Sequence, residues 1–311
     1  MANFNWGKLS RPIIGLAPMA EYTDWPFGLI CKEQGVQVIF REMISAEAIL
    51  HNNQKTLRLL KIDKKERPVI QQIFGRDPAR MAEAARLVCR LSRPDGLDIN
   101  MGCPARKVVK NFHGAALMKE PRRAMEIIRA VKKAVKVPLS VKTRLGWSKP
   151  EEILKFAPLL EKAGADLLTI HARTKDEGFS GLPHWDIICE VKKKLRIPIL
   201  ANGGIFNRED LEKCLAITGA DGVLIARGTL GNPWIFSSHL PSLKERIDTI
   251  LKHARWQIKH YGKGGLILFR KHLMHYFKGL PSSAQARVAL GQVKTYSELK
   301  KILTDYQNNI A

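Results

Sequence analysis

Along most of the chain, short apolar runs rich in β-branched residues alternate with longer stretches whose apolar residues recur every three or four positions. The runs are Ile13–Ala17, Val38–Arg41, Val69–Ile73, Leu97–Asn100, Leu139–Thr143, Leu167–His171, Ile199–Gly203 and Gly222–Arg227. They are brief and free of internal proline, as strands covered on both faces should be. Their starts lie 23 to 32 residues apart, except for a gap of 42 between the fourth and the fifth. This rhythm predicts an α/β fold, a (β/α)8 TIM barrel. The extra length falls in residues 101–119, directly after a strand's C-terminal end. Barrels of this kind carry their chemistry on that face.

Helix signals stand where the rhythm needs them. Asp77-Pro78 offers an N-cap and an N1 proline before ARMAEAARLVCRL, and Glu120-Pro121 is expected to open RRAMEIIRAVKKAV in the same way. Pro150 begins a helix that Gly164 closes, with Pro158 expected to kink or interrupt it. Asn207 is placed to cap REDLEKCLAITG. After Arg227 the pattern changes to a turn-rich connector and then to helical periodicity alone, in ERIDTILKHARWQIKHYG, LILFRKHLMHYFKGL and ELKKILTDYQNNI. A catalytic barrel over 1–241 followed by a small C-terminal all-α helical bundle over 242–311 is therefore expected.

Charge adds a partner to this picture. The 311 residues hold 52 Lys and Arg against 29 acidic residues, a formal +23, and 45% hydrophobic residues suffice for a sizeable core. Such a potential attracts polyanions, although a merely solvated basic surface accounts for it equally well on charge alone. The excess is densest in the tail, with 13 Lys and Arg against four Asp and Glu over 242–311. There Arg270, Lys271, His272 and Lys278, with Tyr276 and Phe277 between, suggest a stripe that tracks phosphates. The five cysteines, at 31, 89, 103, 189 and 214, form no Cys-x-x-Cys pair, which argues against a disulfide framework, a zinc site or an iron–sulfur cluster. The N-terminus lacks a secretory pattern and no apolar run could cross a bilayer, so a cytoplasmic monomer with no metal and no membrane contact is expected.

Polar residues gather at the inferred strand ends: Gln72, Asn100, Cys103, Lys142, Arg144, His171, Arg173, Asn202-Gly203-Gly204 and Ala226-Arg227-Gly228. The last two groups, Gly-Gly and Arg-Gly after the seventh and eighth strands, leave backbone N–H groups free to approach an anion, where barrels hold phosphorylated ligands. In Asp98-Ile-Asn-Met-Gly-Cys-Pro-Ala, Cys103 sits at a bend instead of on a helix face. Lys142 could serve as a Schiff-base lysine. Arg144, on the same face of the strand, favours instead an anionic or electron-rich ligand.

LAPMAEYTDWPF, VIQQIFGRDP, DINMGCPARKVVKNFHGAALMKEP, VKTRLGW, TIHARTKDEGFSG, ANGGI and ARGTLGNPWIF, in this order, resemble the tRNA-dihydrouridine synthase family, and the loop pattern is closer to its bacterial members. RKHLMHYFKGLP carries the resemblance into the tail. It implies an FMN enzyme, reduced by NADPH, or by NADH in its place, that converts uridines of tRNA to 5,6-dihydrouridine. Pro18, Met19 and Ala20 would line the flavin, Gln72 and Lys142 would bond its polar edge, and His171 would lie near the ring. Asn202, Gly203, Gly204, Ala226, Arg227 and Gly228 would hold the ribityl phosphate. Asn100 would contact the uracil and Cys103 would donate a proton. Arg144, Arg173, Arg270 and Lys271 are expected on the substrate side. Gly204 departs from the family, where Asp is commoner, and Pro158 has no counterpart there. Two rivals share these parts: an FMN barrel acting on a free pyrimidine, and a non-catalytic RNA-binding barrel. The basic tail argues against the first, and the intact Cys103, Lys142 and His171 against the second.

Overall fold

The computed structural model describes residues 4–237 and 239–310. Eight parallel strands, β1 (Ile13–Leu16), β2 (Val38–Ser45), β3 (Val69–Phe74), β4 (Gly96–Met101), β5 (Leu139–Arg144), β6 (Leu167–His171), β7 (Ile199–Asn202) and β8 (Gly222–Ile225), close into a barrel in chain order. The ring is completed by β1 pairing with β8. Strand β2 runs four residues past its expected end, across a register shift between Arg41 and Ile44. Strands β7 and β8 stop short of Gly203 and Arg227 because the backbone turns there, through Gly203 at φ 102° and Ala226 at φ −108°, ψ −104°.

Around the barrel lie α1 (Trp25–Glu33), α2 (Ala46–Leu50), α3 (Gln54–Arg58), α4 (Pro78–Ser92), α5 (Arg106–Lys110), α6 (Pro121–Ala134), α7 (Ile153–Ala163), α8 (Trp185–Lys194) and α9 (Arg208–Thr218). Asp77 and Asn207 cap α4 and α9, accepting from the amides of Arg80 and Asp210. Glu120 does not cap α6: its carboxylate turns to Arg76, 3.4 Å away. The extra methylene of Glu overshoots the amides that Asp or Asn would reach. Nor does Pro158 interrupt its helix. α7 is continuous, since Phe156, Ala157 and Leu160 are buried, and that packing offsets the one hydrogen bond a proline forfeits.

The tail forms α10 (Leu243–Tyr261), α11 (Gly265–Tyr276), α12 (Ser283–Gln292) and α13 (Tyr296–Asn308). Periodicity foreshadows three of these. α12 buries only Leu290, so it carries no apolar stripe to read. Tail residues Ile250, Phe269, Leu273, Tyr276 and Leu303 make a core that Trp234 of the connector joins. The tail docks on α1, where Gln257 Nε2 and Tyr261 Oη donate to Asp24 Oδ2 at 2.8 and 3.1 Å, and Lys252 meets Glu33 at 3.0 Å.

Candidate active site

Side chains two apart on a strand share a face, and this parity builds the site. The lower inward positions, among them Val38, Phe40, Ile70, Leu167, Leu200 and Leu224, pack with Trp6 and plug the barrel from below. Two or four residues further along the same faces come Gln72, His171 and Asn202, with Lys142 and Asn100 on the strands between. The inside of the barrel thus turns from apolar to polar along its axis.

The polar end opens into a cavity of about 750 Å³. It is lined by 18–20, Gln72, Asn100, Cys103, Lys142, Arg144, His171, 202–204 and 226–228. A hydrogen-bond relay fixes one wall. Ser140 Oγ and Gln72 Nε2 each donate at 2.6 Å to the carboxylate of Asp98, whose pKa burial raises to about 6. Asn100 Nδ2 donates to Gln72 Oε1 at 2.8 Å, and Asn100 Oδ1 accepts from the amides of Gly102 and Cys103 at 3.2 and 2.9 Å. The position of Cys103 is therefore set from inside the barrel. Gly114 holds the loop from the other side: at φ 60°, a Cβ there would lie 2.8 Å from the Cys103 carbonyl. The second hydrogen of Asn100 Nδ2 rests on Met43 Sδ at 3.4 Å, a weak acceptor it could exchange for a ligand. Burial pushes the Cys103 thiol up, against a backbone bond from Ala105 and the fields of Arg144 and Lys142, so it stays protonated at neutral pH.

The opposite chemistry belongs to cations. Lys142 Nζ donates to Asn202 Oδ1 at 2.8 Å, and Asn202 Nδ2 is held by the Leu224 carbonyl at 2.7 Å. Burial, then Arg144, brings the Lys142 pKa down to about 8. His171 is kept neutral by burial and by Arg144, Lys142, Arg173 and Arg227. A neutral ring among four cations leaves an electrostatic vacancy for an anion. Beside it, Gly203 and Gly204, both at positive φ, have amides that donate to no backbone carbonyl among the described residues. A Cβ on Gly228 would meet the Ile205 carbonyl at 2.3 Å. Gly204 also has a packing cause, since a Cβ there would lie 2.7 Å from Pro183 and 3.2 Å from the Trp185 ring. That closes the position to aspartate in this chain.

Several expected residues lie elsewhere. Arg173 is 4% exposed, is spent on the carbonyls of Ser180 and Gly181, and does not line the cavity. Arg144 does line it, but three of its bonds go to Gly102, Thr174 and Gly178 carbonyls. Arg270 joins α11 to the end of α12 through the carbonyls of Gln292 and Val293. The basic stripe is broken because His272, Tyr276 and Phe277 are buried. The surface stripe is instead Lys271, His275 and Lys278, at helical spacing. Lys271 sits over the Tyr22 ring at 5.1 Å, and His275 and Lys278 line the cavity. Tyr22, Met43, Phe179 and Phe206 also line it without having been anticipated. The aromatic residue between Gly178 and Gly181 was the available signal for Phe179, which lies 5.2 Å from both Arg144 and Arg227.

Comparison with known proteins places this geometry among relatives. The model of the family described as Dihydrouridine synthase (Dus) matches residues 15–311. The chain is 37% identical over 300 residues to the probable tRNA-dihydrouridine synthase 1 of Synechocystis, covering 92% of this chain and 84% of that one. It is 37% identical over 311 residues to tRNA-dihydrouridine synthase B of Pasteurella multocida (96% and 93% covered), and 34% identical over 320 residues to the probable tRNA-dihydrouridine synthase of Rickettsia prowazekii (97% and 96%). Among solved structures, a 2-naphthoyl-CoA reductase complexed with 2-naphthoyl-CoA superposes with a TM-score of 0.56 at 14% identity, over 71% of this chain and 49% of the other. That likeness is one of fold.

Proposed function

The chain belongs to the dihydrouridine synthase family, and from that premise we propose that it is an FMN-dependent enzyme that uses NADPH to reduce the C5=C6 bond of uridines in tRNA. The observation that carries this reading is one cavity holding a protonated thiol, Cys103, together with a cationic, glycine-walled anion cradle. Its volume suits a cofactor with a base beside it. FMN would lie with its phosphate at Gly203, Gly204, Arg227 and Gly228, and its polar edge toward Gln72 and Lys142. When bound, FMN supplies the hydride taken up at C6, and NADPH restores it.

The chain's own groups do the rest. Cys103 delivers the proton to C5, and the relay through Asn100 keeps its loop at the cavity wall. Lys142, anchored by Asn202, presents positive charge where electron density collects. The uridine enters flipped out of the folded RNA, with Tyr22 and Phe179 offering aromatic faces at the wall. The 1–241 barrel is the reducing unit. The 242–311 helices grip the tRNA backbone through Lys271 and Lys278, with His275 between them.

The direct test is incubation of the protein with FMN, NADPH and unmodified tRNA, followed by mapping of dihydrouridine. Conversion should require all three, and Lys271→Glu with Lys278→Glu should weaken tRNA binding and flatten its salt dependence. No dihydrouridine, or conversion of free uridine at the same rate, would refute the assignment. FMN affinity should also depend on pH through Lys142. Its ammonium persists below about 8 and is lost above, so FMN should bind the apoprotein with steady affinity up to that pH and more weakly beyond it. Lys142→Met should abolish this dependence, and a wild-type profile that stays level through pH 8 would exclude the contact.

A further inference from the structure

Where the helical domain meets the barrel, three metal-ligating side chains converge that the proposed reaction does not use. Asp24 precedes α1, His253 lies on α10 and His272 on α11. They are 2%, 0% and 0% exposed, and one donor atom of each lies within 4.8 Å of the others. Among the described residues, neither ring nitrogen of His272 has a hydrogen-bond partner, nor does Nε2 of His253. Buried polar atoms ordinarily find partners, and three orphaned imidazole nitrogens beside a buried carboxylate point to a missing one. We propose that Asp24, His253 and His272 bind a divalent cation of the zinc class that fastens the helical domain to the barrel.

The donor set and its surroundings both favour this. Two imidazole nitrogens and a carboxylate oxygen form a common zinc triad, with a water or another oxygen as fourth ligand. Tetrahedral donors stand about 3.3 Å apart, so closure asks each side chain to move by less than about 1 Å. Ligands of such sites are oriented by outer hydrogen bonds. Here His253 Nδ1 faces the buried Tyr276 hydroxyl at 3.2 Å, which leaves Nε2 for the ion. Asp24 is held by the Phe27 amide at 3.0 Å, by Gln257 at 2.8 Å and by Tyr261 at 3.1 Å. The Phe27 ring packs on both imidazoles, at 5.7 and 4.9 Å, and shields them from water. The cysteine spacing, which argued against a metal, has no bearing on ligands at positions 24, 253 and 272.

None of the three lines the catalytic cavity, so the ion has a structural role. Thr23 hydroxyl, one residue before Asp24, donates to the Ala17 carbonyl at 2.9 Å and accepts from the Met19 amide at 3.1 Å. The ion thereby ties the tail to the loop that lines the cavity at 17–20.

Elemental analysis of the full-length protein incubated with Zn(II) or Co(II) tests the proposal. The expected result is one tightly held ion per chain that dipicolinate removes, with a lower unfolding temperature that added Zn(II) restores. Co(II) should give the visible bands of a tetrahedral N/O site. His272→Leu and His253→Leu should each lose the ion. If those variants do not fold, X-ray absorption of the zinc-loaded wild type decides. Two imidazoles in the ligand shell support the site, whereas a sulfur shell places the ion on cysteines and overturns it. Failure of the folded wild type to hold stoichiometric metal overturns it as well.

Discussion

Cys103→Ala is expected to lower uridine reduction by about 10²–10⁴-fold, the usual contribution of a positioned general acid, while FMN affinity and flavin reduction by NADPH stay at wild-type levels. The split follows from where the residue is held. Its amide is anchored by Asn100 and its carbonyl by Ala115 at 3.1 Å, so losing the sulfur leaves the loop in place. The cations that would hold FMN come from other strands, at Lys142 and Arg227. With FMN kept saturating, wild-type activity should also persist to alkaline pH. A thiol with a raised pKa keeps its proton beyond the ordinary value of about 8.5, and the acid is lost only above it. Equal turnover in the variant, or FMN lost together with activity, would remove the proposed role.

Glu66→Leu should destabilise the fold by about 3–5 kcal/mol, the usual consequence of stranding a buried charge. Arg41 and Glu66 meet at 2.6 Å with both side chains 0% exposed, and among the described residues Arg41 has only the Leu59 carbonyl, at 3.4 Å, as a further hydrogen-bond partner. Without the carboxylate, the buried guanidinium loses its bonded counter-charge and keeps only the through-space fields of Asp24 and Glu42. Arg41→Met combined with Glu66→Leu should recover much of the loss, because it removes both charges. Thermal unfolding of the two variants checks the pair. A single variant as stable as wild type would show that the guanidinium reaches solvent.

The residues that were legible in the sequence are those whose position follows from local rules. Strand parity alone puts Gln72, Lys142, His171 and Asn202 on one inner surface, and the bend at Gly102–Pro104 puts Cys103 above it. What was hidden depends on long-range packing. Arg270 and Lys271 are equivalent as letters, yet one is absorbed by the end of α12 and the other faces Tyr22. His275, and Lys278 just past the helix end, reach the cavity because α11 buries its opposite face, packing Phe269 and His272 against His253 of α10. The role of Asn100 was likewise obscured: most of its amide is committed to Gln72 and to the loop backbone. Pro158 shows the converse, a strong local signal overruled by the apolar side of its own helix.

Because His275 and Lys278 border the same hollow as Cys103, the wall of the proposed reaction chamber is not complete within the barrel alone. A polypeptide ending at residue 241 would lack part of the chamber and lay bare Phe27 and Asp24. On the proposed reading, the face of α11 that carries Lys271 and His275 is open to change for a new RNA contact, whereas its other face is held by the packing of Phe269, Leu273 and Tyr276.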